Sequence, residues 1–291
     1  MSLPSSSLSK AIAWMAGWLS LMLVVAVAGR EATRELQVFE LMLLRSVIGL
    51  FLLYPLVRAN GGFASLRTTR LREHGLRNVV HYAAQFGWFF ALTLIPMAHV
   101  VAIEFTMPIW TVLLAAAFLG ERFTPSKGIA VVLGLVGVVM IVRPNVHGVS
   151  PGQAIAFVAA IGFAVSVTLT KSLTRTESPV AIIFWMLLLQ SVLGLVPALS
   201  VWQWPSAAAW PWVLLVAFGG TFSHYCMARA LRHADATVVV PMDFLRVPLT
   251  AAAGWWLYSE RFDLLTALGA SLILAGNLVN LMRQRATRTS P

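Results

Sequence analysis

The sequence predicts an all-α integral membrane protein: ten transmembrane helices arranged as two inverted five-helix repeats. Three observations predict it. Apolar runs near twenty residues recur along the whole chain. Lysine and arginine gather in alternate connections between those runs. The second half repeats, in order, a set of motifs from the first.

Of 291 residues, 59% are hydrophobic and 11% are charged, where a soluble chain carries roughly a quarter charged residues. A membrane-spanning helix needs about 20 consecutive apolar residues. Reading such runs between charged or Pro/Gly breaks gives ten spans, at about 11–29, 37–57, 78–95, 97–119, 127–142, 152–173, 180–201, 208–230, 235–258 and 263–282. The opening run "WMAGWLSLMLVVAVAG" is longer than a signal-peptide core and reads as a first transmembrane helix. The single cysteine, Cys226, has no partner in the chain, which excludes an internal disulfide framework and a cysteine-based metal site. The net charge of +10 raises nucleic acid as a partner. The positive residues lie between spans, however, so the lipid bilayer is the partner they fit.

The basic residues test the span count. With the N-terminus in the cytoplasm, fifteen of the 21 lysines and arginines fall on the cytoplasmic side, Arg77 and Lys171 among them. Arg30, Arg34, Arg143 and Arg261 fall outside, and Arg45 and Arg246 fall within spans. Short loops retain lysine and arginine inside. The expectation is a multi-pass protein of a bacterial-type inner membrane, with both termini cytoplasmic. The Trp-rich, charge-free stretch "VWQWPSAAAWPW" fits an outer interfacial loop.

The duplication divides the chain into a tail at 1–10, a first repeat at 11–143, a second at 152–283 and a tail at 284–291. "HYAAQFGWFF" begins at His81 and "HYCMARALRH" at His224. Pro108 lies thirteen residues before Glu121, and Pro248 lies twelve before Glu260. Five spans per repeat is an odd number, so the second copy enters the membrane upside down. Inverted repeats of this kind carry a substrate site near the midplane between the copies.

"FLGERF", "LYSERF", "GLVGVVMIVRP" and the five-plus-five layout together resemble the drug/metabolite transporter superfamily, in its ten-helix EamA group. The resemblance covers about residues 11–283. It implies a central cavity lined mainly by spans one, three, four, six, eight and nine. The group includes exporters of amino acids and drugs, and importers of riboflavin and S-adenosylmethionine. By the same resemblance, Glu121 and Glu260 cap or tie loops.

An ionisable side chain inside a span costs about 2.5–3.5 kcal/mol on insertion scales, and faces protein or a water-filled cavity. The deep ones here are Arg45, Glu104, Asp243 and Arg246. Glu104 stands four residues before Pro108, and Asp243 five before Pro248. Pro108 cannot bond the carbonyl of Glu104, and Pro248 cannot bond that of Phe244, so each helix is freed to kink beside its acid. Pro241 loosens the second one further. Two readings follow. Glu104 and Asp243 line the cavity and bind a cationic group or a proton; or they pair with arginines, Asp243 with Arg246 three residues on and Glu104 with Arg45 or Arg246. Arg246 could instead hold a substrate carboxylate through its planar fork. Arg45 reads as structural. His81, Gln85 and Trp88 share one face of span three, and His224 and Tyr225 open the equivalent motif, as a cavity wall or as packing. Trp14 and Trp18, one turn apart, read as stacking or interfacial residues.

No phosphate-loop, metal-ligand or nucleophile motif is present in the sequence, so no cofactor or metal is expected. The function expected is a secondary transporter of a small polar or amphiphilic metabolite. Export of an amino acid or related compound is the first reading and import of a vitamin-like or nucleoside-like solute the second, with protons as a candidate coupling ion. An intramembrane enzyme is a remote alternative. The oligomer is a monomer or homodimer.

Overall fold

The computed structural model describes residues 5–120, 125–142, 150–259 and, in part, 264–276. Glu121, Glu260, most of the tenth expected span and the C-terminal tail lie outside the described residues. The fold is helical throughout what is described. Its elements are α1 (Ser5–Ala32), α2 (Val38–Ala59), α3 (Leu71–Leu94), α4 (Met97–Glu104), α5 (Met107–Leu119), α6 (Pro125–Val142), α7 (Pro151–Leu173), α8 (Pro179–Ser200), α9 (Trp210–His233), α10 (Ala236–Met242) and α11 (Arg246–Tyr258). A 3-10 turn, Asp243–Leu245, joins the last two.

The starts and stops follow local chemistry. Ser150 and Ser178 each accept a bond from the backbone three residues on, and Pro151 and Pro179 follow them at the first helical position. Gln37 caps α2, its backbone N–H donating to Glu40 at 2.8 Å. Helices α5 and α11 both end in a left-handed residue, Gly120 (φ 69°) and Ser259 (φ 53°).

Four helices are long and apolar enough to cross a membrane by length and composition: Leu8–Ala32, Val38–Ala59, Pro151–Leu173 and Pro179–Ser200. Two reasons for the difference from ten are visible. α3 and α9 bury polar residues, among them His74, Arg77, Asn78, His81, Thr221 and Ser223, which lowers their hydropathy. The expected spans 97–119 and 235–258 are not continuous helices. The first breaks at Phe105–Thr106, between α4 and α5, and the second at Asp243–Leu245. The helix α3 extends seven residues ahead of the expected span 78–95. It starts at Leu71 and takes in Arg77, which is buried rather than placed in a loop. Apolar side chains such as Phe51, Phe118, Val196 and Trp256 stand exposed on the outside, as lipid-facing residues do.

The packing follows the duplication. α1 lies along α9, α3 along α7, α2 along α8, α4 against α11 and α5 against α10. Exchanging the two repeats turns α1–α9 into α7–α3, turns α4–α11 into α10–α5, and returns α2–α8 to itself. The two ends of the bundle obey the same exchange. At one end the α2–α3 connection meets the α7–α8 connection. His74 Nε2 lies 2.6 Å from Glu177 Oε2, Thr68 also bonds Glu177, and Arg70 Nη1 donates to the Ser172 carbonyl at 2.9 Å. At the other end the α1–α2 connection meets the α8–α9 connection. The Ser206 backbone N–H and Oγ donate to Glu35 at 2.6 and 2.7 Å, and the Gln203 N–H donates to Glu40.

Candidate functional site

The two helix breaks meet at the centre. Glu104 is the last residue of α4, and Pro108 sits in the first turn of α5, where a missing N–H is harmless. Asp243 opens the 3-10 turn, Arg246 is the first residue of α11, and Pro248 follows in its first turn. Each break thus leaves an acid at the end of a half-helix, as the prolines led one to expect.

Arg246 joins the two. Its Nη2 donates to Glu104 Oε1 at 2.5 Å and to Asp243 Oδ2 at 3.0 Å. Two tryptophans complete the carboxylates: Trp88 Nε1 donates to Glu104 Oε2 at 2.7 Å, and Trp18 Nε1 to Asp243 Oδ1 at 2.6 Å. The Arg246 guanidinium also lies over the Phe105 ring, 5.2 Å from its centroid. All three charged groups are buried. Of the pairings open to Glu104 from sequence, the structure selects Arg246 and not Arg45. The network counts two carboxylates and one guanidinium. It carries one negative charge when both acids are ionised and none when it holds one proton.

A cavity lies against this network. It is lined by Trp18, His81, Gln85, Trp88, Glu104 and His224, with Met22, Met107, Phe163 and Met227 among the apolar wall residues. Glu104 is therefore both paired and at the cavity wall. His81 and His224, the first residues of the two repeated motifs, meet edge to face with ring centroids 5.0 Å apart. His81 Nδ1 lies 3.0 Å from Ser166 Oγ, and His224 Nδ1 lies 2.7 Å from the Gly220 carbonyl. The cavity volume is about 50 Å³, room for roughly three to five water molecules. An amino acid or larger metabolite needs it wider.

Other sequence candidates fall elsewhere. Tyr225 does not line the cavity. Its hydroxyl accepts from Arg229 at 3.1 Å, and its ring meets Trp14 edge-on at 5.7 Å. Arg45, read from sequence as structural and as a partner for Glu104, is fully buried with no hydrogen bond from any of its three nitrogens among the described residues. Two members of the buried polar clusters are not among the site residues expected from sequence. Trp18 was read as a stacking or anchoring residue, although a tryptophan one helix away from a buried acid is a natural N–H donor. Arg77 counts in the sequence reading among the cytoplasmic loop residues, one position before the expected start of span three.

A duplicated helical membrane protein whose half-helices meet at a buried carboxylate pair beside a cavity has the build of a small-molecule transporter. Comparison with known proteins agrees. The profile of the EamA-like transporter family matches residues 9–143 and again 150–282, and the chain belongs to that family. It is 26% identical to an S-adenosylmethionine uptake transporter of Rickettsia felis, over 90% of each chain. It is 31% identical to a riboflavin transporter of Brucella anthropi, over 82% of this chain and 85% of that one. A pseudopaline exporter of Pseudomonas aeruginosa is 26% identical over 84% of this chain and 86% of its own. A solved crystal structure shares the fold, with a TM-score of 0.76 at 20% identity over 98% of this chain and 99% of that one.

Proposed function

We propose that the protein is a secondary transporter that moves a small amphiphilic metabolite by alternating access. It does so as two inverted five-helix repeats in a bacterial-type inner membrane, with both termini in the cytoplasm. The observation that carries this reading is the Glu104–Arg246–Asp243 network at the two helix breaks, with Glu104 on the wall of the central cavity and Asp243 and Arg246 behind it. Each end of the bundle is tied by an equivalent pair of connections. Opening one tie while the other holds would expose the cavity to one side at a time. The exchange symmetry of the packing supports the inverted relation.

In this mechanism Glu104 and Asp243 share Arg246 in the closed state. A cationic group or a proton entering the cavity takes over part of that bonding, because the network has one negative charge to spare. Trp18, Trp88 and the histidine pair provide ring faces for a planar solute, and His81 Nε2 is left open for a hydrogen bond to it. Direction follows from the gradient that drives the cycle. Export fits the pseudopaline exporter, uptake of a nucleoside-like solute fits the S-adenosylmethionine uptake transporter, and a vitamin-like solute fits the riboflavin transporter.

The test is flux into proteoliposomes, with solutes found by thermal stabilisation of the purified protein. Glu104→Gln should abolish flux and leave the protein folded. Wild-type flux in that variant would refute a role for the acid. A reporter fused after Gly120 should read cytoplasmic and one after Val142 periplasmic. The reverse pattern would overturn the orientation.

A further inference from the structure

A second polar cluster stands apart from the acids. Arg45 of α2 and Arg77 of α3 are both buried, at 0% and 2% exposure. Arg77 has only neutral partners: Thr170 Oγ1 at 2.8 Å, Asn78 Oδ1 at 3.4 Å and Met186 Sδ at 3.6 Å. Arg45 has none among the described residues. The two are within electrostatic reach of each other, and both act on His81 and His224. No described acid reaches either one. Glu104 and Asp243 are held by Arg246, and Glu40 by backbone N–H groups.

The groups around them are also left open. Gln190 of α8, Thr221 of α9 and the Tyr82 hydroxyl are buried without a hydrogen bond among the described residues. Contacts bring them to the same helices' meeting place. A Cβ on Gly49, one turn along α2 from Arg45, would stand 2.5 Å from Thr221 Oγ1. One on Gly194, one turn along α8 from Gln190, would stand 3.0 Å from the Tyr82 hydroxyl. Met186, which receives Arg77, is one turn before Gln190. A buried guanidinium left without an acid is strongly unfavourable, and so is a buried amide with neither donor nor acceptor satisfied. A ligand that accepts several hydrogen bonds and carries negative charge removes both penalties. The cluster also adjoins the central cavity. Gly220 lines that cavity, and a Cβ there would stand 2.9 Å from Arg45 Nε.

We propose that Arg45 and Arg77 form the oxyanion half of the central site, binding a carboxylate or phosphate group carried by the transported solute. Guanidinium forks match both oxyanions with paired hydrogen bonds, and Gln190 and Thr221 add neutral donors. The proposal rests on the transport reading. It narrows the solute to one with an anionic end, its other end lying toward Trp18, Trp88 and the carboxylate network. It also gives the carboxylate-binding role to Arg45 as well as to Arg246, whose Nη2 both acids share and whose Nε and Nη1 stay open among the described residues.

The experiment titrates full-length protein in nanodiscs with benzoate and with inorganic phosphate. It compares wild type, Arg45→Gln, Arg77→Gln and Arg58→Gln, the last removing an exposed arginine from the same α2. Wild type and Arg58→Gln should bind benzoate or phosphate, and Arg45→Gln and Arg77→Gln should bind about 30-fold more weakly or not at all. Benzoate alone identifies a carboxylate site and phosphate alone a phosphate site. No binding by wild type, or equal binding by Arg45→Gln, overturns the proposal. If Arg45→Gln does not fold, Arg45→Lys replaces it, and unchanged affinity there overturns the proposal equally. A wild type that binds benzoate through Arg45 but moves no solute refutes the transport reading and leaves the oxyanion site standing. A solute without an oxyanion, moved equally by Arg45→Gln, does the opposite.

Discussion

Removing Arg246 is the most informative single perturbation of the central network. Its Nη2 holds Glu104 at 2.5 Å and Asp243 at 3.0 Å, with all three side chains out of solvent. Arg246→Met leaves two carboxylates facing each other with only Trp88 and Trp18 as donors. Breaking a buried ion pair by removing one partner costs about 3–5 kcal/mol, and here one arginine serves two acids, so the upper end applies. The companion variant removes all three charges: Glu104→Gln, Asp243→Asn and Arg246→Met together. Both amides keep an oxygen for the tryptophan N–H groups, and no charge is left unpaired. The triple variant should recover most of the lost stability, since replacing a whole buried charge cluster is often neutral. Unfolding in mixed detergent, followed by circular dichroism, reads both. Proteoliposome flux should be absent in each. The reasoning fails if Arg246→Met is as stable as wild type, or if the triple variant is no more stable than Arg246→Met.

Three further predictions use other parts of the structure. Trp88→Phe removes the N–H that reaches Glu104 and should cost about 1.5–3 kcal/mol, the range for a hydrogen bond to a charged group; detergent unfolding that shows no loss would mean the bond is not formed. Gly49→Ala sets a methyl 2.8 Å from Leu187 Cδ2 and closer still to Thr221 Oγ1, so α2 should be forced away from α8 and α9 at about 1–3 kcal/mol, read as a lowered melting temperature. His74 lies on α3 ahead of the expected span, and burial holds its imidazole below the ordinary 6.5 against the opposing pull of Glu177. The unfolded chain then binds the proton more readily than the folded one. The His74 contribution to stability is present in full above pH 6.5 and declines as the pH falls below that value. Thermal unfolding of wild type against His74→Gln should show the wild-type advantage shrinking on acidification, and a growing advantage would contradict the sign.

The sequence carried more of the site's local geometry than of its pairing. An acid near a proline in each half was visible as spacing, because a proline's effect on its own helix is a local rule. The breaks beside Glu104 and at Asp243 follow from it. The facing of His81, Gln85 and Trp88 was visible as helical periodicity. What joined them was not. The Trp18–Asp243 and Arg246–Glu104 bonds connect residues 225 and 142 positions apart, and a linear pattern of charges does not say which arginine meets which acid. Two acids and two arginines within the spans suggested mutual neutralisation. The burial of Arg77 alters that balance: the chain separates a network with surplus carboxylate from a pair of arginines that no described acid reaches. The end ties were equally hidden, since His74–Glu177 and Glu35–Ser206 each join connections that belong to different repeats.

Under the alternating-access proposal, those ties set the balance between conformers open at one end and at the other. They involve different residues at the two ends, and none of them touches the cavity. Weakening Glu177 alone should favour the conformer open at its end, and weakening Glu35 or Glu40 the conformer open at the other, by the free energy of the bonds removed. Substrate contacts stay the same in either case. Under the same proposal the resting orientation is adjustable independently of selectivity, and substitutions at Glu177 and at Glu35 bias it toward opposite faces.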